Sequence, residues 1–187
     1  MKDLTKGSPL SLILFFAAPI LLGNMFQLLY NMADTRIVGT FLGETALAAV
    51  GATSSVNNLL VGLIIGMTNG FAILTARRYG AKDRDGVRKS IGSIFILAFI
   101  TAIIITIVGL LCLEPLLKLL NTPDDLINTS IKYFRVILLG TTVTMFYNVC
   151  ATVLRAVGDS LTPLLFLMLS TFLNVILDLI FVVPLGL

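Results

Sequence analysis

The sequence predicts an all-α membrane protein with about five transmembrane helices. Three observations lead there. Of the 187 residues, 57% are hydrophobic and only 12% are charged, whereas soluble domains carry roughly a quarter charged residues. The mean hydropathy is +1.02. Apolar runs long enough to cross a bilayer, about 20 residues each, recur along the whole chain, which has room for about five or six of them.

The runs are expected at about Leu10–Ala33, Leu47–Thr75, Ile91–Leu113, Val136–Leu154 and Pro163–Leu187. The first follows Lys2 and Lys6, as a secretory signal would. Its uncharged stretch is too long for a signal core, and no clear cleavage site follows. Pro19 lies in its middle, where a missing N–H should kink the helix. The second run exceeds the required length and should tilt or protrude. It carries Gly62, Gly66 and Gly70, a small-residue ridge that lets another helix approach closely. The fifth closes the sequence.

Charge sets the direction of these helices. Lys2, Lys6, the loop "RRYGAKDRDGVRK" after the second run, and Arg155 after the fourth fall on one side if the spans alternate. The other side holds Arg36, Lys118 and Lys132 beside Asp34, Glu44, Glu114, Asp124 and Asp125. The excess of Lys and Arg places the N-terminus in the cytoplasm. The basic loop reads as a topology determinant touching anionic headgroups, not as a nucleic-acid site.

The chemistry available is narrow. There is no histidine, so His-based metal sites and Ser-His or Cys-His pairs are excluded. Cys112 and Cys150 lie in apolar runs, with no CxxC pattern, and read as buried small apolar residues. No nucleophile–base pair, metal cluster or phosphate loop is present, which argues against an enzyme. No cofactor is implied.

Polar residues inside apolar helices are costly and therefore informative. Asn24, Gln27, Asn31 and Asp34 step three, four and three along the first helix, forming one stripe. Thr141, Thr144, Asn148 and Thr152 do the same in the fourth, and Ser170, Asn174 and Asp178 in the fifth. Three such stripes point to a shared wet cavity, lined by Asn24, Gln27, Asn31, Thr141 and Thr144. Isolated residues of this kind also serve as hydrogen-bonding glue between helices. Asp178 with Asn174 at i,i+4 goes further. Asp34 ends the first span at a similar depth, and the two carboxylates could face each other. Burial favours a proton on a carboxylate, and a bound cation opposes it. Such a site exchanges H+ for Na+ or for a cationic substrate. Two carboxylates with an amide oxygen suit Na+, a hard cation; two carboxylates alone suit H+.

The segments "FFAAPILLGNMFQLLYNMADTRIVGTFLGETALAAVG", "LRAVGDS" and "LNVILDLIF", in this order and spacing, resemble the multidrug and toxic compound extrusion (MATE) family of antiporters over nearly the whole chain. The resemblance implies a twelve-helix plasma-membrane exporter of two six-helix lobes. It implies efflux of organic cations and amphipathic drugs in exchange for Na+ or H+. It assigns ion coupling to Asp34, Asn174 and Asp178, joined by Tyr133 and Asn148, and helix bending to Pro19. About five helices make an incomplete N-terminal lobe, so residues 1–187 are expected to be a fragment whose partner is the missing C-terminal lobe. A lipid-linked saccharide flippase of the same superfamily is the nearby alternative, disfavoured because no Lys or Arg lies deep in a span. A non-transporting structural subunit docking through its glycine ridge is the other.

Overall fold

The computed structural model describes residues 8–185. Lys2, Lys6 and the last two residues of the fifth expected span lie outside them. Six helices follow in order: α1 (Pro9–Phe41), α2 (Gly43–Gly80), α3 (Arg84–Leu119), α4 (Asp124–Leu139), α5 (Thr141–Ala156) and α6 (Leu161–Leu185). Four are long and apolar enough to cross a membrane. There are five if α4 and α5, which meet at a 45° bend, form one span.

Local chemistry sets the helix ends. Pro9 opens α1, where its missing N–H costs nothing. Gly43 turns the chain into α2 at φ +83°, a conformation glycine adopts without strain. Asp83 caps α3 by accepting the Gly86 N–H at 2.9 Å, and Arg78 donates to the Gly86 carbonyl at 2.7 Å. Asn121 at φ +55° and Pro123 carry the chain from α3 into α4. Asp159 accepts both the Thr162 N–H at 3.0 Å and the Thr162 hydroxyl at 2.7 Å. Those bonds hold its carboxyl below the usual carboxylate range and satisfy a first-turn donor of α6.

The helices outrun the apolar runs that predict them. The 38 residues of α2 span about 57 Å at 1.5 Å per residue, against a hydrocarbon core of about 30 Å. α3, at 36 residues, likewise exceeds what that core requires and continues past Pro115.

The fourth expected span departs most. In place of one helix over 136–154 there are two, joined at Gly140. Two carbonyls near the bend accept hydroxyls: Ile137 from Thr141 at 3.4 Å, and Leu138 from Thr106 of α3 at 3.2 Å. A side chain that enters the helical ladder is a recognised cause of bending.

The chain divides into two compact units, with boundaries after Leu47 and after Val153. One contains α1 and α6, which pack closely. The other contains α2 from Ala48 onward, α3, α4 and α5, and has a continuous core. Leu60 and Ile64 of α2, Ala98 and Leu117 of α3, Phe134 and Leu138 of α4, and Met145 and Val149 of α5 belong to it.

Two expectations about packing need correction. The glycine ridge of α2 does not pack in this unit. Gly62, Gly66 and Gly70 are exposed, and a Cβ added to any of them would meet nothing within 4 Å. The packed face is Ala49, Thr53, Val56, Leu60, Ile64, Thr68, Ala72 and Thr75. Its threonines tolerate burial because their hydroxyls are bonded, Thr53 to the Ala49 carbonyl and Thr68 to the Ile64 carbonyl. Thr75 bonds Ser90 of α3 across the helix pair at 2.7 Å. Cys112 is exposed and Cys150 half-buried. A thiol is apolar enough to sit on an outward face in hydrocarbon.

Candidate ion-coupling site

Within the α1–α6 unit, one close approach is made at Gly23, which is buried. A Cβ there would lie 3.4 Å from Leu167 and 3.7 Å from Leu164 of α6. Eleven residues further along each helix from Gly23 and Leu167 stand Asp34 and Asp178, near enough for their charges to interact. Approach at both levels means that α1 and α6 run parallel. An odd number of crossings must then separate them, which α2, α3 and the bent α4–α5 pair supply if that pair counts as one span.

Asn174 and Asp178 lie one turn apart on the same face of α6. Both are half-buried, as is Asp34. Asn174 Oδ1 and Asp178 Oδ2 are themselves buried, and neither has a hydrogen-bond partner among the described residues. Leaving a buried acceptor unsatisfied costs roughly 1–3 kcal/mol. Two acceptors on one helix face, with a second carboxylate in electrostatic reach, want positive charge. A proton on Asp178 would make that carboxyl a hydrogen-bond donor. A hard cation such as Na+ would take oxygen ligands directly. Among the described residues no group of three or more His, Cys, Asp or Glu side chains gathers as a metal cluster would.

The other residues singled out in the sequence fall elsewhere. Tyr133 is on α4 and Asn148 on α5, both in the second unit. Asn148 donates its amide to the Thr144 carbonyl at 2.8 Å. Thr144 bonds the Gly140 carbonyl, and Thr152 the Asn148 carbonyl. The α5 stripe is thus a ladder of bonds to its own backbone. Thr141 is 1% exposed and faces packed side chains, not a wet wall. On α1, Asn24, Gln27 and Asn31 are exposed, and Pro19 is buried within a helix that continues past it. Sequence reading missed Arg135. It lines a cavity of about 480 Å³ with Glu114 and Lys118 in the second unit. The signal was one cation at the edge of the fourth apolar run, next to Val136.

The family model of MatE matches residues 19–180. The chain belongs to the MatE family. A probable multidrug resistance protein of Bacillus subtilis, YpnP, is 32% identical to it over 180 residues, covering 96% of this chain and 40% of the relative. A MOP superfamily transporter from Pyrococcus furiosus, described as having a binding pocket of reversed polarity that suggests a different function, superposes with a TM-score of 0.89 at 34% identity. That match covers 98% of this chain and 40% of the transporter. A MATE structure in the bent conformation superposes with a TM-score of 0.87 at 34% identity, covering 96% and 40%. The chain therefore spans about two fifths of the length of these relatives, and the region matched is their N-terminal lobe. The Pyrococcus furiosus relative is named a transporter and the Bacillus subtilis relative a multidrug resistance protein. With its apolar helices, this MatE chain is a multi-pass membrane protein.

Proposed function

We propose that the chain forms the ion-coupling part of an N-terminal lobe in a multidrug antiporter of the plasma membrane. The antiporter expels organic cations and amphipathic drugs against inward movement of Na+ or H+, with its N-terminus in the cytoplasm. A second lobe completes the transport path. Asp34, Asn174 and Asp178 hold the exchangeable ion. Pro19, which removes one hydrogen bond of α1, is where α1 bends as the ion enters or leaves. The observation that carries this reading is the pair of buried, unpartnered oxygens at Asn174 and Asp178. Each unit charge moved inward across 100 mV adds about 2.3 kcal/mol of driving force.

The test is drug efflux by the natural full-length protein with Asp34→Asn or Asp178→Asn, in cells and in proteoliposomes. Loss of efflux with normal membrane abundance supports coupling. Full efflux in both variants would sink it. Imposed Na+ and pH gradients, applied separately, then identify the ion. A docking subunit is the competing reading, favoured by the open Gly62–Gly66–Gly70 ridge. It requires both aspartates to tolerate Asn.

A further inference from the structure

We infer that the groove between the C-terminal end of α3 and α4 binds an anionic glycerophospholipid, with Arg135 pairing its phosphate. The groove encloses about 480 Å³, within the range of small-molecule pockets, about 300–1,000 Å³. One part of its wall is apolar, formed by Leu110, Leu111 and Ile131; the other carries Glu114, Lys118 and Arg135. Lys118 is already paired with Glu114 at 2.7 Å. Arg135 has no ion pair among the described residues. The groove thus offers one uncompensated positive charge, on the side chain whose planar fork matches phosphate oxygens.

Depth fits the same ligand. About 20 helical residues cross a core of about 30 Å, so a run entering at Ile91 leaves hydrocarbon near Leu111. Glu114 and Lys118 then stand at headgroup level. The Thr106–Leu138 bond fixes the level of α4 against α3. Arg135 lies one turn from Leu138 toward the same end. Leu110 and Leu111 at the edge of hydrocarbon, with Arg135 beside them and Glu114 and Lys118 beyond, match the level of a lipid's phosphate and first acyl carbons. Inorganic phosphate would leave the leucines without a role. A zwitterionic lipid would bring a cation to a groove whose carboxylate is already engaged.

The experiment is native mass spectrometry of the delipidated full-length protein with dioleoylphosphatidylglycerol, dioleoylphosphatidylcholine or inorganic phosphate. Phosphatidylglycerol should bind at least about tenfold more tightly than phosphatidylcholine. Arg135→Gln should erase that preference, and Arg135→Lys should keep part of it. Leu111 is 74% exposed, so Leu111→Gln should leave the fold intact and weaken both lipids together. Equal retention of the two lipids by the unmodified protein overturns the inference. So does Arg135→Gln that retains the preference, or phosphate that displaces the lipid at equal concentration. If Arg135→Gln melts early without lipid, the Leu111→Gln result decides: lipid binding unchanged in that variant overturns the site.

Discussion

The two units solve the same problem, polar groups in an apolar chain, in opposite ways. In the α2–α5 unit the buried hydroxyls of Thr53, Thr68, Thr75, Ser90, Thr141 and Thr152 all have partners, mostly carbonyls one turn back. Ser130 is the exception. In the α1–α6 unit two buried acceptors face no donor among the described residues, and a second carboxylate is near. Bonds closed within a helix cost little and leave nothing to exchange. Open acceptors are expensive, and a working site is where that expense has a use. The difference separates scaffold from candidate machinery better than polarity does.

Exchanging one residue in each unit tests the contrast most strongly. Asp178→Asn should abolish efflux, whereas Thr144→Val, which removes only a bond to the Gly140 carbonyl one turn back, should leave efflux within about twofold, as expected for an exposed site. Equal loss in both would end the distinction. Next in size is Phe134→Ala in the second unit's core, where the side chain is 1% exposed. It should cost about 3–5 kcal/mol, read as early thermal unfolding in detergent, with the ion dependence of any remaining transport unchanged. A smaller effect is expected where α2 meets α3. Thr75→Val strands the Ser90 hydroxyl and should cost about 1–3 kcal/mol, whereas Thr75→Val with Ser90→Ala should recover much of it. The smallest concerns the cap of α6. Asp159→Ala should lower stability by about 1 kcal/mol. Hydrogen bonds from Thr162 depress the Asp159 carboxyl, so its contribution is present at neutral pH. It fades as the pH falls below the ordinary carboxylate range and through the depressed value. A melting difference from the unmodified protein that persists unchanged at acid pH would contradict this.

Much of this was legible in the sequence, and the gaps have physical causes. Length and hydropathy locate spans because hydrocarbon demands them. They do not locate helix ends, because the backbone of α2 and α3 stays hydrogen-bonded past the ends of their apolar runs. The break at Gly140 was hidden because the Leu138 carbonyl accepts from the Thr106 hydroxyl, 32 residues away, and no local pattern records a distant donor. Glycines spaced by four mark a face but not its partner, so Gly62–Gly70 was assigned a packing role it lacks in its unit. The Asn174–Asp178 step is local and readable. That Asp34 lies in reach of Asp178 depends on α1 and α6 running parallel, which is a property of the fold. Arg135 was passed over because a lone cation beside an apolar run looks like a boundary marker.

The parallel pairing of α1 and α6 also has a consequence in time. Asp34 and Asp178 are 144 positions apart in the sequence. At roughly 5–20 residues per second on the ribosome, about 7–30 s pass between them. Every helix of the other unit emerges within that interval and can associate first. During it, α1 holds a carboxylate at the membrane with its eventual neighbour not yet synthesised. The candidate ion site is therefore among the last features of these residues to come into being.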